Sequence, residues 1–141
     1  MKSSPDLAAL VLRLSLGAMY LAHSIVLKVL TYGLGGTAAF FVQAGLPGWL
    51  AYVLVAGEVI GGVLLILGVQ TRWVVVALSP ALLGAIIVVH AANGWVFTAP
   101  GGGWEYPAFL LAVSLVQFLL GDGAFAVSHL LARRRCLAEH P

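Results

Sequence analysis

His23, Glu58 and His90 are ionisable side chains set inside stretches apolar enough to lie in lipid, and Arg13 stands nearer one end of the first such stretch. A bilayer core penalises these groups by several kcal/mol or more, so they turn toward a protein interior or a water-filled cavity and mark functional sites. Two histidines and a carboxylate suit three chemistries. A metal would use both histidines with a carboxylate, but no His-x-x-x-His pair supports it. Bis-histidine haem needs His23 and His90 at matching depth, which their places in the chain do not give. A quinone-like ring compound, held between helices by a histidine and a glutamate among aromatics, needs no special spacing. The plain alternative is a structural polar network in which these groups only satisfy one another.

The elements that must position them follow from composition. Of 141 residues, 62% are hydrophobic and 9% charged, where a soluble domain carries about a quarter charged. Four stretches approach the roughly 20 apolar residues that a helix needs to cross hydrocarbon: about Leu7–Leu30, Trp49–Val69, Trp73–Ala92 and Tyr106–Gly121, the last extending toward Leu131. Backbone groups in lipid must be satisfied within the segment, and nothing alternates like barrel strands, so each span reads as helix. The first is too long for a signal peptide and leads into more membrane, so it is expected to be retained. Ser3-Ser4-Pro5-Asp6 supplies its start.

Charge placement predicts orientation. Lys2, Arg72 and Arg133-Arg134-Arg135 lie at the N-terminus, between spans two and three, and at the C-terminus, while Thr31–Gly48 and Asn93–Glu105 hold no Lys or Arg. The positive-inside rule puts both termini in the cytoplasm. Trp49, Trp95 and Trp104, with Tyr32, Tyr52 and Tyr106, then gather at the outer interface, where amphipathic rings prefer to sit. The lone thiol, Cys136, excludes an internal disulfide or a Cys-x-x-Cys motif. No phosphate loop, catalytic triad or nucleic-acid patch is present.

Arg13, Gly17, Tyr20, Ser24 and Lys28 share one face of span one, with His23 at its edge. Glu58 shares a face with Gly62 and Leu65, and Gly57 and Gly61 form a Gly-x-x-x-Gly pair that permits close helix approach. At 1.5 Å per residue, His23 and Glu58 lie about 10 and 13 Å below the outer ends of their spans, with Arg13 about 12 Å deeper than Glu58. His23 or Tyr20 is therefore the expected partner of Glu58, and Arg13 is expected to reach water or the cytoplasmic surface. His90 and Trp104-Glu105-Tyr106 are expected to ring the mouth of an outward-facing pocket roofed by Pro100-Gly101-Gly102-Gly103. Gly33, Gly35 and Gly36 are expected to break the chain, with Thr37–Ala44 lying on the outer interface. Ser114, Gln117 and Gly121 make a second polar face, on span four.

The order Leu12-Arg13-Leu14-x-Leu16-Gly17, His23, Lys28, Gly45-Leu46-Pro47, Glu58-x-x-Gly61-Gly62-x-Leu64, Gly68-x-x-Thr71-Arg72 and Gly103-Trp104-Glu105-Tyr106 resembles DoxX family membrane proteins over about four-fifths of the chain. The resemblance implies a four-helix integral membrane protein found with redox systems. Its members are similar to a quinone-reducing thiosulfate oxidoreductase subunit, to a component of a complex with superoxide dismutase and a sulfurtransferase, and to proteins linked to quinone or catechol resistance. It carries over Arg13, His23, Glu58, Arg72 and Glu105. Two departures stand out: Lys28 lies five residues after His23, where the family's lysine usually lies four after, and the family's closing aspartate after a serine is missing from Gly121–Ser128.

The expected fold is thus all-α, a single DoxX-like domain over residues 1–141: a four-transmembrane-helix antiparallel bundle with cytoplasmic termini, multi-pass in a bacterial plasma membrane. The expected function is that of a small subunit of a redox system, at most part of a membrane oxidoreductase, that binds a quinone and works in the bilayer with partner oxidoreductase proteins, itself free to form a homo-oligomer. His23, Glu58, Tyr20, Arg13, His90, Glu105 and Trp104 are its candidate ligand-binding or polar-network residues; no metal and no nucleic acid are expected. A non-enzymatic scaffold or assembly subunit, and a small-solute or proton pathway along Arg13, Glu58 and His23, are the alternatives.

Overall fold

The computed structural model describes residues 3–129, so Lys2, the basic run Arg133–Arg135, Cys136 and any extension of the last span toward Leu131 lie outside the described residues. Ser3 opens helix α1 (Ser4–Leu21) with a capping box, its hydroxyl paired with Asp6 and Pro5 in the first turn, which satisfies amide groups the helix cannot bond itself. The helix continues as a π-helical stretch, Ala22–Thr31. A short helix α2 (Gly33–Gln43) follows, then α3 (Trp49–Leu67), α4 (Thr71–Gly84) with its π-helical end Ala85–His90, and α5 (Glu105–Leu120). No strand occurs among the described residues.

Three helical stretches, Ser4–Thr31, Trp49–Leu67 and Thr71–Asn93, are long and apolar enough to cross a membrane, and α5 is apolar but shorter. The break after span one differs from expectation. Gly33 alone supplies it, with φ +72°, whereas Gly35 and Gly36 lie within α2. Thr37 anchors α2 by donating to the carbonyls of Lys28 and Gly33.

Helix α1 packs on α3 and α5, and α4 packs on the same two. The contacts of α1 with α3 pair Arg13 with Leu65 and Ser24 with Glu58, so these two run antiparallel. Their closest approach is at Gly17 and Gly62: a Cβ on Gly17 would stand 2.8 Å from the Gly62 carbonyl oxygen, and one on Gly62 would stand 2.9 Å from Leu21. The Gly57–Gly61 pair does not do this. A Cβ on Gly57 meets nothing within 4 Å, while Gly61 faces Leu78 of α4. Large apolar side chains such as Val11, Ile60, Trp73 and Leu119 point outward, whereas Arg13, Ser24, Glu58, Thr71, Ser114 and Gln117 are buried. That inversion of the soluble pattern fits a hydrocarbon solvent, in which polar groups find partners only inside the protein.

At the end of the molecule where α1 begins, polar side chains fasten the helix termini. Arg13, 1% exposed, donates to the carbonyls of Leu65 (3.0 Å) and Ile66 (2.5 Å) at the end of α3 and of Ala124 (2.9 Å). Terminal carbonyls lack helical partners and carry partial negative charge, so a buried guanidinium suits them. Arg13 was expected to reach water or the cytoplasmic surface; it bonds three backbone carbonyls instead. Gly68, left-handed at φ +68°, turns the chain here, and a Cβ on it would lie 2.8 Å from the Arg13 guanidinium carbon. Asp122 accepts from the backbone N–H of Thr71 at the start of α4 (2.9 Å) and from the Ser128 hydroxyl (2.5 Å). Asp122 and Ser128 thus pair across the turn that follows α5. Arg72 reaches the Leu119 carbonyl at the end of α5 at 3.4 Å.

Two predictions follow from this packing. Gly17→Ala should lower stability in detergent by about 1–3 kcal/mol, because the added methyl forces backbone against backbone, and Gly57→Ala, which points into open space, should leave the thermal midpoint unchanged or raised. For Asp122, burial pushes the carboxyl pKa up from 3.8, but hydrogen bonds from Ser128 and Thr71 and the charge of His129 outweigh it, so the folded pKa is lowered. Its stabilisation is then complete above the ordinary carboxylate pKa and lost as pH falls through the folded value. Acid titration of thermal stability should show this loss in the natural protein and a flatter profile in Asp122→Asn.

Candidate functional site at the Glu58 carboxylate

Glu58 lies halfway along α3, 6% exposed, on the face that meets the π-helical end of the first span. Its Oε2 accepts from the Ser24 hydroxyl and from the Lys28 ammonium, the latter at 2.5 Å. The expected partners His23 and Tyr20 make neither of these bonds. Helical side chains lean toward the N-terminus of their own helix. Because α1 and α3 are antiparallel, Lys28 leans down and Glu58 leans up, and the two meet across the contact. Both bonds end on Oε2, so neither uses Oε1.

Ser24 and Lys28 both lie in the π-helical stretch and are four residues apart, a spacing that keeps side chains on one helical face. Both therefore reach Glu58, whereas His23 bonds it in neither contact. His23 is exposed and sits within electrostatic range of Lys28, Glu58 and His90. Tyr20 is buried one turn below Ser24, where its hydroxyl feels the charge of Glu58 and lies near Ser114, outside hydrogen-bond alignment.

The outer loop is stitched to itself. His90 Nδ1 donates to the Gly102 carbonyl (2.8 Å), since a carbonyl only accepts. In the neutral ring this leaves Nε2 as a free acceptor. Asn93 bonds the carbonyls of Gly101 and Gly102, Glu105 accepts from the Phe97 N–H (3.1 Å), and Trp104 meets Trp95 edge-on at 4.4 Å between ring centroids. Glu105 and Trp104 therefore hold the loop, with His90 clamping it from the end of the third span. An open groove of about 540 Å³ lies outside this loop, between Trp95, Phe97, Glu105, Tyr106 and Phe109. No group of three or more His, Cys, Asp or Glu side chains is arranged to hold a metal among the described residues.

The sequence-selected residues thus divide three ways. Glu58 and Tyr20 belong to one buried cluster, with exposed His23 on its flank; His90, Trp104 and Glu105 order the loop above; Arg13 fastens the far end. Ser24 and Lys28 complete the cluster, and their signal was the polar stripe on span one.

Comparison with known proteins is consistent with this architecture. The DoxX family model matches residues 8–91, more than half of the chain. The chain is 35% identical over 127 residues to "Putative oxidoreductase CatD" of Bacillus subtilis (strain 168), spanning 90% of this chain and 89% of that protein. No solved structure matches it. With its long apolar helices and a buried polar stripe, the chain belongs to the DoxX family of membrane proteins.

Proposed function

We propose that this protein is a small membrane subunit of a bacterial redox system that binds a quinone-like compound beside Glu58 and exchanges electrons with partner oxidoreductase proteins. In this reading the three long helical stretches and the shorter α5 form an antiparallel bundle in the plasma membrane, with both termini cytoplasmic and the loop around Trp95 and Trp104 outside. The observation that carries it is a carboxylate held deep in an apolar bundle with one oxygen bound by Ser24 and Lys28 and the other unused by either. A charge kept at such depth is costly, which makes it a marker of function. The relative's name adds a redox connection.

Reduced quinones carry two hydroxyls and oxidised ones two carbonyls. Glu58 Oε1 accepts a hydrogen bond or a proton from a hydroxyl, and the Lys28 ammonium donates to a carbonyl. His23 and the free Nε2 of His90 serve the oxygen at the outer side. Oxidation of the hydroquinone releases two protons to these groups and two electrons to the partner, and reduction reverses both. With a single cysteine the chain has no Cys pair to hold electrons, so they pass to a partner protein or stay on the ligand itself.

Protein purified in mild detergent should carry a quinone detectable by mass spectrometry, and Glu58→Gln should lose it while remaining folded. Retention of the ligand by that variant would refute the assignment. For stability, Lys28→Met should cost about 3 kcal/mol by stranding a buried carboxylate. Adding Glu58→Gln should recover a large part of that loss in a double-mutant cycle read by thermal denaturation.

A further inference from the structure

A second groove, of about 350 Å³, opens to the outside between α4 and α5. Its size falls within the roughly 300–1,000 Å³ typical of ligand clefts. Val75, Val76 and Ser79 line it from α4, and Leu111, Leu115 and Phe118 from α5. Ser79 donates its hydroxyl to the Val75 carbonyl of its own helix (2.7 Å), so the groove is almost wholly apolar.

Arg72 stands at one end of this groove. It begins the α4 face that carries Val75, Val76 and Ser79, which follow it by three, four and seven residues. Its guanidinium lies across the end of α5. There it donates to the Leu119 carbonyl at 3.4 Å, and a Cβ on Gly121 would stand 3.2 Å from its Nε. That single long bond uses one of its several N–H donors, and Arg72 forms no ion pair among the described residues. Asp122, at the same end, is engaged by the Thr71 N–H and the Ser128 hydroxyl. Trp73, 68% exposed, follows Arg72 and marks the headgroup level, where indole rings prefer to sit.

We propose that an anionic phospholipid docks at this place, with its phosphate on the Arg72 guanidinium and one acyl chain in the groove between α4 and α5. The occupant follows from what the two parts require together. An apolar channel that ends on an unpaired cation at the membrane–water boundary matches a hydrocarbon tail joined to a phosphate. A guanidinium holds a phosphate through two parallel hydrogen bonds, and the first turn of α4 adds the positive end of its dipole. A zwitterionic lipid brings a cation of its own, which offsets the phosphate beside Arg72, so a net anionic headgroup is preferred. The site shares no residue with the Glu58 cluster and stands whether or not a quinone binds there.

Native mass spectrometry of the full chain tests this, with phosphatidylglycerol or phosphatidylcholine of the same acyl chains added in mild detergent and the bound lipids counted. The first phosphatidylglycerol should bind about fivefold more tightly than the first phosphatidylcholine. That converts to about 1 kcal/mol, the contribution of one arginine near anionic headgroups. Arg72→Gln keeps a donor for the Leu119 carbonyl and should abolish the preference. Ser79→Leu fills the groove and should weaken binding of both lipids several-fold; if that variant fails to fold, the exposed change Arg72→Gln decides alone. Arg133→Gln, Arg134→Gln and Arg135→Gln together should leave the preference in place. A preference that survives Arg72→Gln, or that disappears only with the three C-terminal arginines, would overturn the inference, as would lipid binding indifferent to Ser79→Leu. So would a dimer in the same spectra that Ser79→Leu dissociates, because a second copy of the chain would then fill the groove.

Discussion

A carboxylate buried in an apolar bundle needs its counter-charge within reach, and in this protein that constraint is met between the first and third helices. Glu58 takes the Lys28 ammonium and the Ser24 hydroxyl on one oxygen. Solvent that would weaken the pair at a soluble protein's surface is absent from hydrocarbon, so its geometry fixes the helices that supply it. Ser24 and Lys28, four residues apart within Ala22–Thr31, stand together on the Glu58 side. Glycines at positions 17 and 62 draw the two backbones close enough below it. Alteration of either feature would separate the charges.

The far end of the molecule repeats the logic with different chemistry. Helix ends leave carbonyls and amides without helical partners, and lipid offers none. Arg13 meets the carbonyls at the end of α3, Arg72 reaches one at the end of α5, and Asp122 meets an amide at the start of α4. Each group has the charge that the helix dipole favours at that terminus. Polar side chains therefore close the bundle at one end and hold a buried carboxylate nearer the other, with buried hydroxyls and an amide between. One stripe on α1, from Arg13 through Tyr20 to Lys28, takes part in all three.

Much of this was legible in the sequence, because hydrocarbon permits few solutions. The first three spans match within a few residues, since an apolar run of fixed length is what a crossing helix requires. The polar stripe was read correctly as facing inward, and Ser24 and Lys28 lay on it. The partner of Glu58 was not, because depth estimates favoured His23 or Tyr20, whereas side chains on antiparallel helices lean toward each other and bring Lys28 down to Glu58. The Gly57–Gly61 spacing misled because spacing identifies a helix face without saying which neighbour it meets. Arg13 was expected to reach water or the cytoplasmic surface because the unpaired carbonyls after Leu64 that it serves are visible only once α3 is known to end there. Asp122 and Ser128 pair through a turn with no sequence signature of its own.

The central claim is that Lys28 and Glu58 form an ion pair inside the membrane-spanning region. Lys2 and Lys28 are the chain's lysines, and Glu58, Glu105 and Glu139 its glutamates, so selective isotope labelling reports the pair with little overlap. Solid-state NMR in bilayers, with ¹⁵N at the lysine ammonium and ¹³C at the glutamate carboxyl, measures the distance through dipolar dephasing. Strong dephasing that vanishes in Glu58→Gln is the result this account predicts. A Lys28 ammonium with no carboxylate carbon in contact would contradict it.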